Sequence, residues 1–463
     1  MGVLALMMTI VFVNAQDFKK VQTNILLGKF EAAKDEYDKA VAKKASMATS
    51  AEGYFWKSRI YSGLDKDATL AAKYPTAYAE LRTAVGAYML LDTSFAIAKD
   101  NGQDAFFDVY MKSFKDGVAA FNVKNWKVAA TSFDEAVIFS DIIFSRGWAT
   151  SKQKFDTTSI IYAGYSNQNA ANVDKSNEKV YIDKTAGYYK RLVDYKINTP
   201  ELLDVYRYLL IQLIAKKDKA VFDNYLKLAQ AAYPAETWVE YKNEYIEKNY
   251  SADEKIKLFD AQLAANSLTE VEAQSYGDMF MTAKNAEGLS AEATEKYILK
   301  AAEAYKKAYT INPSNFAAAF NVGISYYNQY TILDEKLSQN IKSLQTMNVN
   351  KLANTPKDPK KKAAFEISFK AQTDSIKKLN ASLDAPIKER VDAAIEWIEK
   401  AFEVVKDKPK LTKAERNVAS RSVDFLATLY SFKRDKARGK DQKASDAYDA
   451  KFIIYDNLHS KYQ

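Results

Sequence analysis

Cysteine is absent from the 463 residues and histidine occurs once, as His459. Without thiolates there is no cysteine nucleophile, no disulfide and no thiolate zinc site. A histidine-based triad would have to use a residue beside the C-terminal end, where side chains are seldom held in place. Glycine (14) and proline (8) are scarce. An all-β chain of this length needs many turns, and turns need those residues, so the chain reads as almost entirely helical. The sequence contains no P-loop, no Rossmann glycine fingerprint and no His-Glu-x-x-His. Carboxylate pairs are frequent, as on any charged helix, and none is supported by a histidine, a cysteine or a glycine turn. No catalytic, cofactor-binding or metal-ligating residue is assigned, and the expectation is a protein that is not an enzyme and carries no cofactor.

What is present is a globular composition, 48% hydrophobic and 27% charged. The length allows two or three ordinary domains or one long solenoid. The net charge of +8 comes from 67 basic and 59 acidic residues spread along the chain. Such a balance reads as a mixed-charge surface and not as a nucleic-acid-binding one.

Residues 1–15, MGVLALMMTIVFVNA, form an uncharged apolar run. It is too short to span a bilayer as a helix, and no later segment approaches the length required. The run ends at Val13-Asn14-Ala15 and is followed by Gln16-Asp17, the pattern of a secretory signal and its cleavage site. A basic stretch before the run is missing, and a buried N-terminal helix is the alternative reading. Gln16 stands where a lipoprotein would carry cysteine, so no acyl anchor is expected. The expected destination is outside the cytoplasm: periplasmic, extracellular or associated with a bacterial envelope.

The interior of the chain is punctuated by small and aromatic residues at regular spacing. Ala301, Tyr305, Ala308 and Pro313 close one unit; Val322, Gly323 and Tyr326 open the next, with Ala319 where a larger residue is common. Gly28, Phe30, Ala33, Tyr37 and Ala40 repeat the closing pattern. So do Trp126, Ala129, Phe133 and Ala136, with Gly117 twelve residues before Ala129. These stretches resemble tetratricopeptide repeats, whose units of about 34 residues are two antiparallel helices. The resemblance implies an all-α solenoid of helix pairs. Ala77, Leu81 and Ala84 fit a second helix after a long loop at Tyr74-Pro75, and residues 157–196 fit another pair. From 199 to 283 short helices are expected, with breaks near Lys217-Asp218, Tyr233-Pro234, Tyr250-Ser251 and Leu268-Thr269. Ser251-x-x-Glu254 and Thr412-x-x-Glu415 are capping boxes. The predicted organisation is a leader (1–15), a repeat array (16–345), a basic proline-containing linker or loop (346–362) and a region of longer helices (363–463) that continues and caps the array.

In the resembled fold the first helix of each pair lines a groove. Its inward positions are Met111, Phe114, Val118, Phe121 and Asn122 in one repeat, and Ala317, Phe320, Ile324, Tyr327 and Asn328 in another 206 residues later. Phe114, Val118, Phe121, Asn122, Phe320, Asn321, Ile324, Tyr327 and Asn328 are therefore the candidate partner-binding residues. A groove for a peptide or helix is one reading of them; packing against the next repeat is the other. Asn321 matches one position of the carboxylate clamp known in this family. Ile324 stands where that clamp needs Asn, so the clamp is not expected. The implied function is a noncatalytic scaffold that binds a protein or peptide partner in the cell envelope. The 31 tyrosines and 5 tryptophans keep a glycan- or nutrient-binding alternative open, although the SusD-like group resembled in that case is usually lipidated. An enzyme acting on cell-wall material through a carboxylate is a third reading, with no motif to select the residue.

Overall fold

A computed structural model describes residues 18–462, so the leader read at residues 1–15 lies outside the described residues. Among the described residues there is no strand. The chain divides into two compact units. The first reaches Leu213 and takes in Lys219–Glu236; the second holds Ile214–Asp218 and everything from Thr237 onward. The helices of the first part of the chain are α1 (Lys19–Leu26), α2 (Phe30–Lys43), α3 (Ala51–Lys66), α4 (Ala68–Lys73), α5 (Ala77–Leu91), α6 (Ala96–Asn101), α7 (Asp104–Asn122), α8 (Trp126–Ser145), α9 (Thr157–Val173), α10 (Glu178–Asp194), α11 (Leu203–Lys216) and α12 (Lys219–Ala232). Those that follow are α13 (Val239–Asn249), α14 (Ala252–Ala264), α15 (Glu270–Ala283), α16 (Ala291–Ile311), α17 (Phe316–Asn354), α18 (Pro359–Val405), α19 (Lys413–Ala437) and α20 (Gln442–Tyr462).

Neighbouring helices pack in pairs: α1 with α2, α3 with α5, α7 with α8 and α9 with α10 in the first unit, and α15 with α16, α17 with α18 and α19 with α20 in the second. The fold is thus all-α, an array of tetratricopeptide-like helix pairs. Close approach within several pairs depends on a glycine facing a ring. A Cβ on Gly117 of α7 would meet the Phe133 ring of α8 at 2.9 Å; on Gly164 of α9 it would meet Tyr189 of α10 at 2.4 Å; on Gly277 of α15 it would meet Tyr305 of α16 at 2.4 Å. Phe133, Tyr189 and Tyr305 are almost fully buried, and burying each ring contributes about 2–3 kcal/mol.

The helix ends follow local chemistry. Gly28 takes φ +69° in the α1–α2 turn, a conformation that side-chain-bearing residues adopt at a cost. Ser251 and Thr412 form the capping boxes read from the sequence, and Thr269 with Glu272 forms a third. An ion pair with Lys408 and hydrogen bonds from Thr412 hold the Glu415 carboxyl down at about 2. Its contribution to stability is therefore complete above its ordinary value of 4.5 and is lost as pH falls toward 2. Between α16 and α17, Asn312 and Asn315 donate to Glu270 at the start of α15, at 3.0 and 2.7 Å. The Asn-Pro stop thus ties a finished pair back to its own first helix.

The structure corrects the predicted linker at 346–362. Helix α17 runs on to Asn354, because MNVNKLAN holds neither proline nor glycine, and the break shrinks to Thr355–Asp358. Asp358 then caps the Lys361 N–H of α18, and Pro359 occupies the first turn, where its missing N–H is harmless. Helix α18 continues unbroken through Pro386.

The glycine contacts generate a paired test. Gly277→Ala should destabilise the chain by about 1–3 kcal/mol, because Tyr305 is buried and has nowhere to move. Gly187→Ala, in α10 with nothing within 4 Å of the added carbon, should stabilise by about 0.5–1 kcal/mol through helix propensity. Thermal melts followed by circular dichroism would show opposite shifts; equal shifts would refute the close-approach account.

Candidate functional site

The candidate groove residues occupy two equivalent helices. On α7, Phe114 and Phe121 flank the Tyr162 ring of α9, at centroid distances of 6.1 and 5.2 Å, and both also pack on Phe133 of α8. On α17, Phe320 and Tyr327 flank the Phe425 ring of α19 at 6.2 and 4.7 Å. One ring of the following pair thus sits between two rings of the preceding first helix in both places. Asn321 is within hydrogen-bond reach of the Tyr305 hydroxyl, which donates to Asp278 at 2.6 Å. Asn328 is half-buried and Asn122 is exposed at the end of α7.

The two helices differ at the positions beside these rings. On α17, Ile324 is packed into the core that α17 shares with α18, α19 and α20. The Arg421 guanidinium lies 5.0 Å from the Phe320 ring and closes that face. On α7, Met111 replaces Ala317, is 60% exposed, and together with Phe114 and Val118 floors an open cleft of about 520 Å³. The rim is charged: Asp65 and Lys66 from the end of α3, and Asp108, Lys112 and Lys115 from α7.

This rim is built and not merely crowded. Asp108 accepts from Ser62 and pairs with Lys66 at 2.5 Å. Lys112 pairs with Asp116 at 3.0 Å and stands 4.9 Å from the Tyr78 ring. Burial holds the Asp65 carboxyl above its ordinary range; Asp108 and Asp116 add to the rise and Lys112 opposes it. The arrangement offers an apolar strip between fixed charges of both signs. It suits a side chain and backbone from another chain better than a small polar molecule.

The other candidates are engaged within the fold. Tyr189 is packed on Gly164, while Tyr188 donates to Asp134 at 2.8 Å. Tyr326 meets Lys306 and Tyr327 meets Phe425. His459 lies against Asp424 on the surface of α20. Sequence reasoning found Met111, Phe114 and Val118 through the repeat register. It missed the charged rim, because Asp65 and Lys66 reach the cleft only through the packing of α3 on α7.

A pH-dependent prediction follows from Asp65. An acid whose folded value is raised destabilises the fold once ionised, and costs nothing while protonated. Asp65→Asn should therefore melt higher than wild type at pH 7, and the gain should vanish below about pH 4. A gain that persists in acid would show that Asp65 ionisation is not its source.

No protein-family model matches the chain, and no curated protein matches it. Solved structures align with it at low identity. The human IFIT1 dimer with PPP-AAAA aligns over 95% of this chain and 89% of its own at 12% identity, TM-score 0.20. A monomeric IFIT1 mutant with Gppp-AAAA aligns over 86% and 90%, also at 12% identity, TM-score 0.19. The APC/C hetero-tetramer Cut9–Hcn1 aligns over 96% and 95% at 13% identity, TM-score 0.18. These scores transfer no ligand or partner, so the site is read from its own residues.

Proposed function

We propose that the protein is a noncatalytic interaction scaffold that receives a segment of a partner protein in the α7 cleft of its first unit. The observation that carries this reading is Met111, a large apolar side chain 60% exposed beside Phe114 and Val118, inside a rim of charges of both signs. Phe114, held from behind by Phe133 and Tyr162, loses little on binding because its ring is already ordered. The fitting partner is a short helix or extended peptide with one or two apolar anchors and charges of both signs.

We further propose that the scaffold works outside the cytoplasm of a bacterium, most simply in the periplasm. The support is the apolar run of residues 1–15 with its Val13-Asn14-Ala15 boundary. In addition, no helix among the described residues is long and apolar enough to cross a membrane. Mass spectrometry of the protein from its native source should find a mature chain beginning at Gln16. A chain retaining residues 1–15 inside the cytoplasm would overturn the export reading.

The scaffold reading is tested by crosslinking and affinity capture with wild type, Met111→Glu and Val118→Glu. The expected result is a discrete set of envelope proteins captured by wild type and lost from both variants, with melting temperatures unchanged. Capture that survives both substitutions would move the binding surface off α7. Capture of nothing under several growth conditions would sink the scaffold itself.

A further inference from the structure

The α17–α18 pair is far longer than its counterpart. Gly323 and Ile398, which touch where these helices cross, are 75 residues apart, whereas Gly117 and its contact Phe133 are 16 apart. The 59 additional residues extend the pair into a two-helix arm. Between residues 338 and 386 Thr373 is the one buried side chain, so the arm carries little load for the core. Beyond Leu337, α17 alone continues for about 27 Å before the turn. The seam of the arm is modest: Lys351 of α17 pairs with Glu366 of α18 at 2.8 Å and covers the Phe369 ring, which packs at 6.0 Å on Phe365 of its own helix.

The chemistry of the arm is concentrated at its tip. Leu352, Val349 and Ile367 are 89%, 79% and 73% exposed, the three most exposed large apolar side chains of the second unit. All lie within ten residues of the Thr355–Asp358 turn. The stretch 342–378 holds nine lysines against three acidic residues, a net +6 within a chain whose total is +8. Only Lys351 among these lysines is held in an ion pair.

The geometry points to a peripheral membrane contact: the tip of the α17–α18 arm binds an anionic lipid surface. Lys357, Lys360, Lys361 and Lys362 meet phosphate or carboxylate headgroups, and the apolar side chains at the tip enter the boundary of the acyl region. Two like-charged tips repel, which disfavours a second copy as the occupant. Single-stranded nucleic acid is disfavoured because the two rings near the tip are half-buried, Phe365 on Phe369 and Phe369 beneath Lys351, leaving no exposed aromatic for bases to stack on. Exposed aliphatic side chains beside unpaired lysines are instead what a lipid surface rewards. This contact is independent of the α7 cleft.

The test is co-sedimentation of the full chain with vesicles of phosphatidylcholine alone and of phosphatidylcholine with about one third phosphatidylserine. Binding is expected on the anionic vesicles only, and should weaken steeply with added salt. The Lys360→Glu/Lys361→Glu/Lys362→Glu variant should bind at least about tenfold more weakly. Val349→Ser/Leu352→Ser should lower binding further at high salt, where charge is screened. Every altered side chain is exposed, so the melting curve should stay that of wild type, and Met111→Glu should bind vesicles normally. Equal binding to neutral vesicles, no binding at all, or full binding by the lysine variant would overturn the proposal. So would a preference for an oligonucleotide or an acidic protein with no response to vesicles.

Discussion

The helix pairs depend on one recurring contact, a ring driven against a position that has no Cβ. Phe133 on Gly117, Tyr189 on Gly164 and Tyr305 on Gly277 are the same event in three pairs. Each lets two backbones approach closely while a large apolar surface is buried, so propensity and packing act together. The ring then determines what its own polar atom must do. The Tyr305 hydroxyl finds Asp278, and Tyr189 finds Gln168 at 2.6 Å, so both crossing hydroxyls are paired.

The register imposed by that contact explains why the α7 and α17 repeats agree so closely. Phe114 and Phe320, Gly117 and Gly323, and Phe121 and Tyr327 are each 206 residues apart; both aromatic pairs flank one ring of the following helix pair, while Gly117 meets the Phe133 ring and Gly323 meets Ile398. The equivalence ends where α17 outruns α7. Past Tyr330 no glycine crossing remains to bury, and the two helices simply follow one another into solvent. An insertion there leaves the core intact because it lengthens a hairpin whose base is already fixed by Gly323 on Ile398.

Much of the fold was legible for the same reason. The alanines, the tyrosine and the Asn-Pro stop around α16 sit where crossing and termination require them, and the breaks at Lys217, Pro234, Ser251 and Thr269 all lie between observed helices. What was not legible is equally physical. Gly164 and Gly277 stand in helices without the rest of the pattern, so only the packed ring reveals them. Lys124, Lys196, Lys217 and Asn266 turn the chain with φ near +55° where no glycine announces it. The 346–362 segment read as a linker because lysine and proline dominate it, yet its first nine residues, 346–354, belong to helix α17 and its last four, 359–362, to α18. In the candidate site the repeat register located the floor, while Asp65 and Lys66 of the rim came from α3, about 45 residues earlier in the chain.

The choice between groove and packing for the aromatic positions dissolves once angles around α7 are considered. At about 100° per residue, Met111 and Val118 share one direction, Phe114 and Phe121 lie about 40–80° round from them, and Gly117 lies beyond, against α8. The rings are therefore the wall between the crossing face and the open face. Both are held by Phe133 and Tyr162 on one side, and Phe114 lines the cleft on the other. On α17 the same wall exists, but Ala317 offers no apolar knob and Arg421 covers the face of the Phe320 ring. Packing and binding are thus two sides of one row of residues, and the residue that decides whether the outer side is open is the one at the Met111 position.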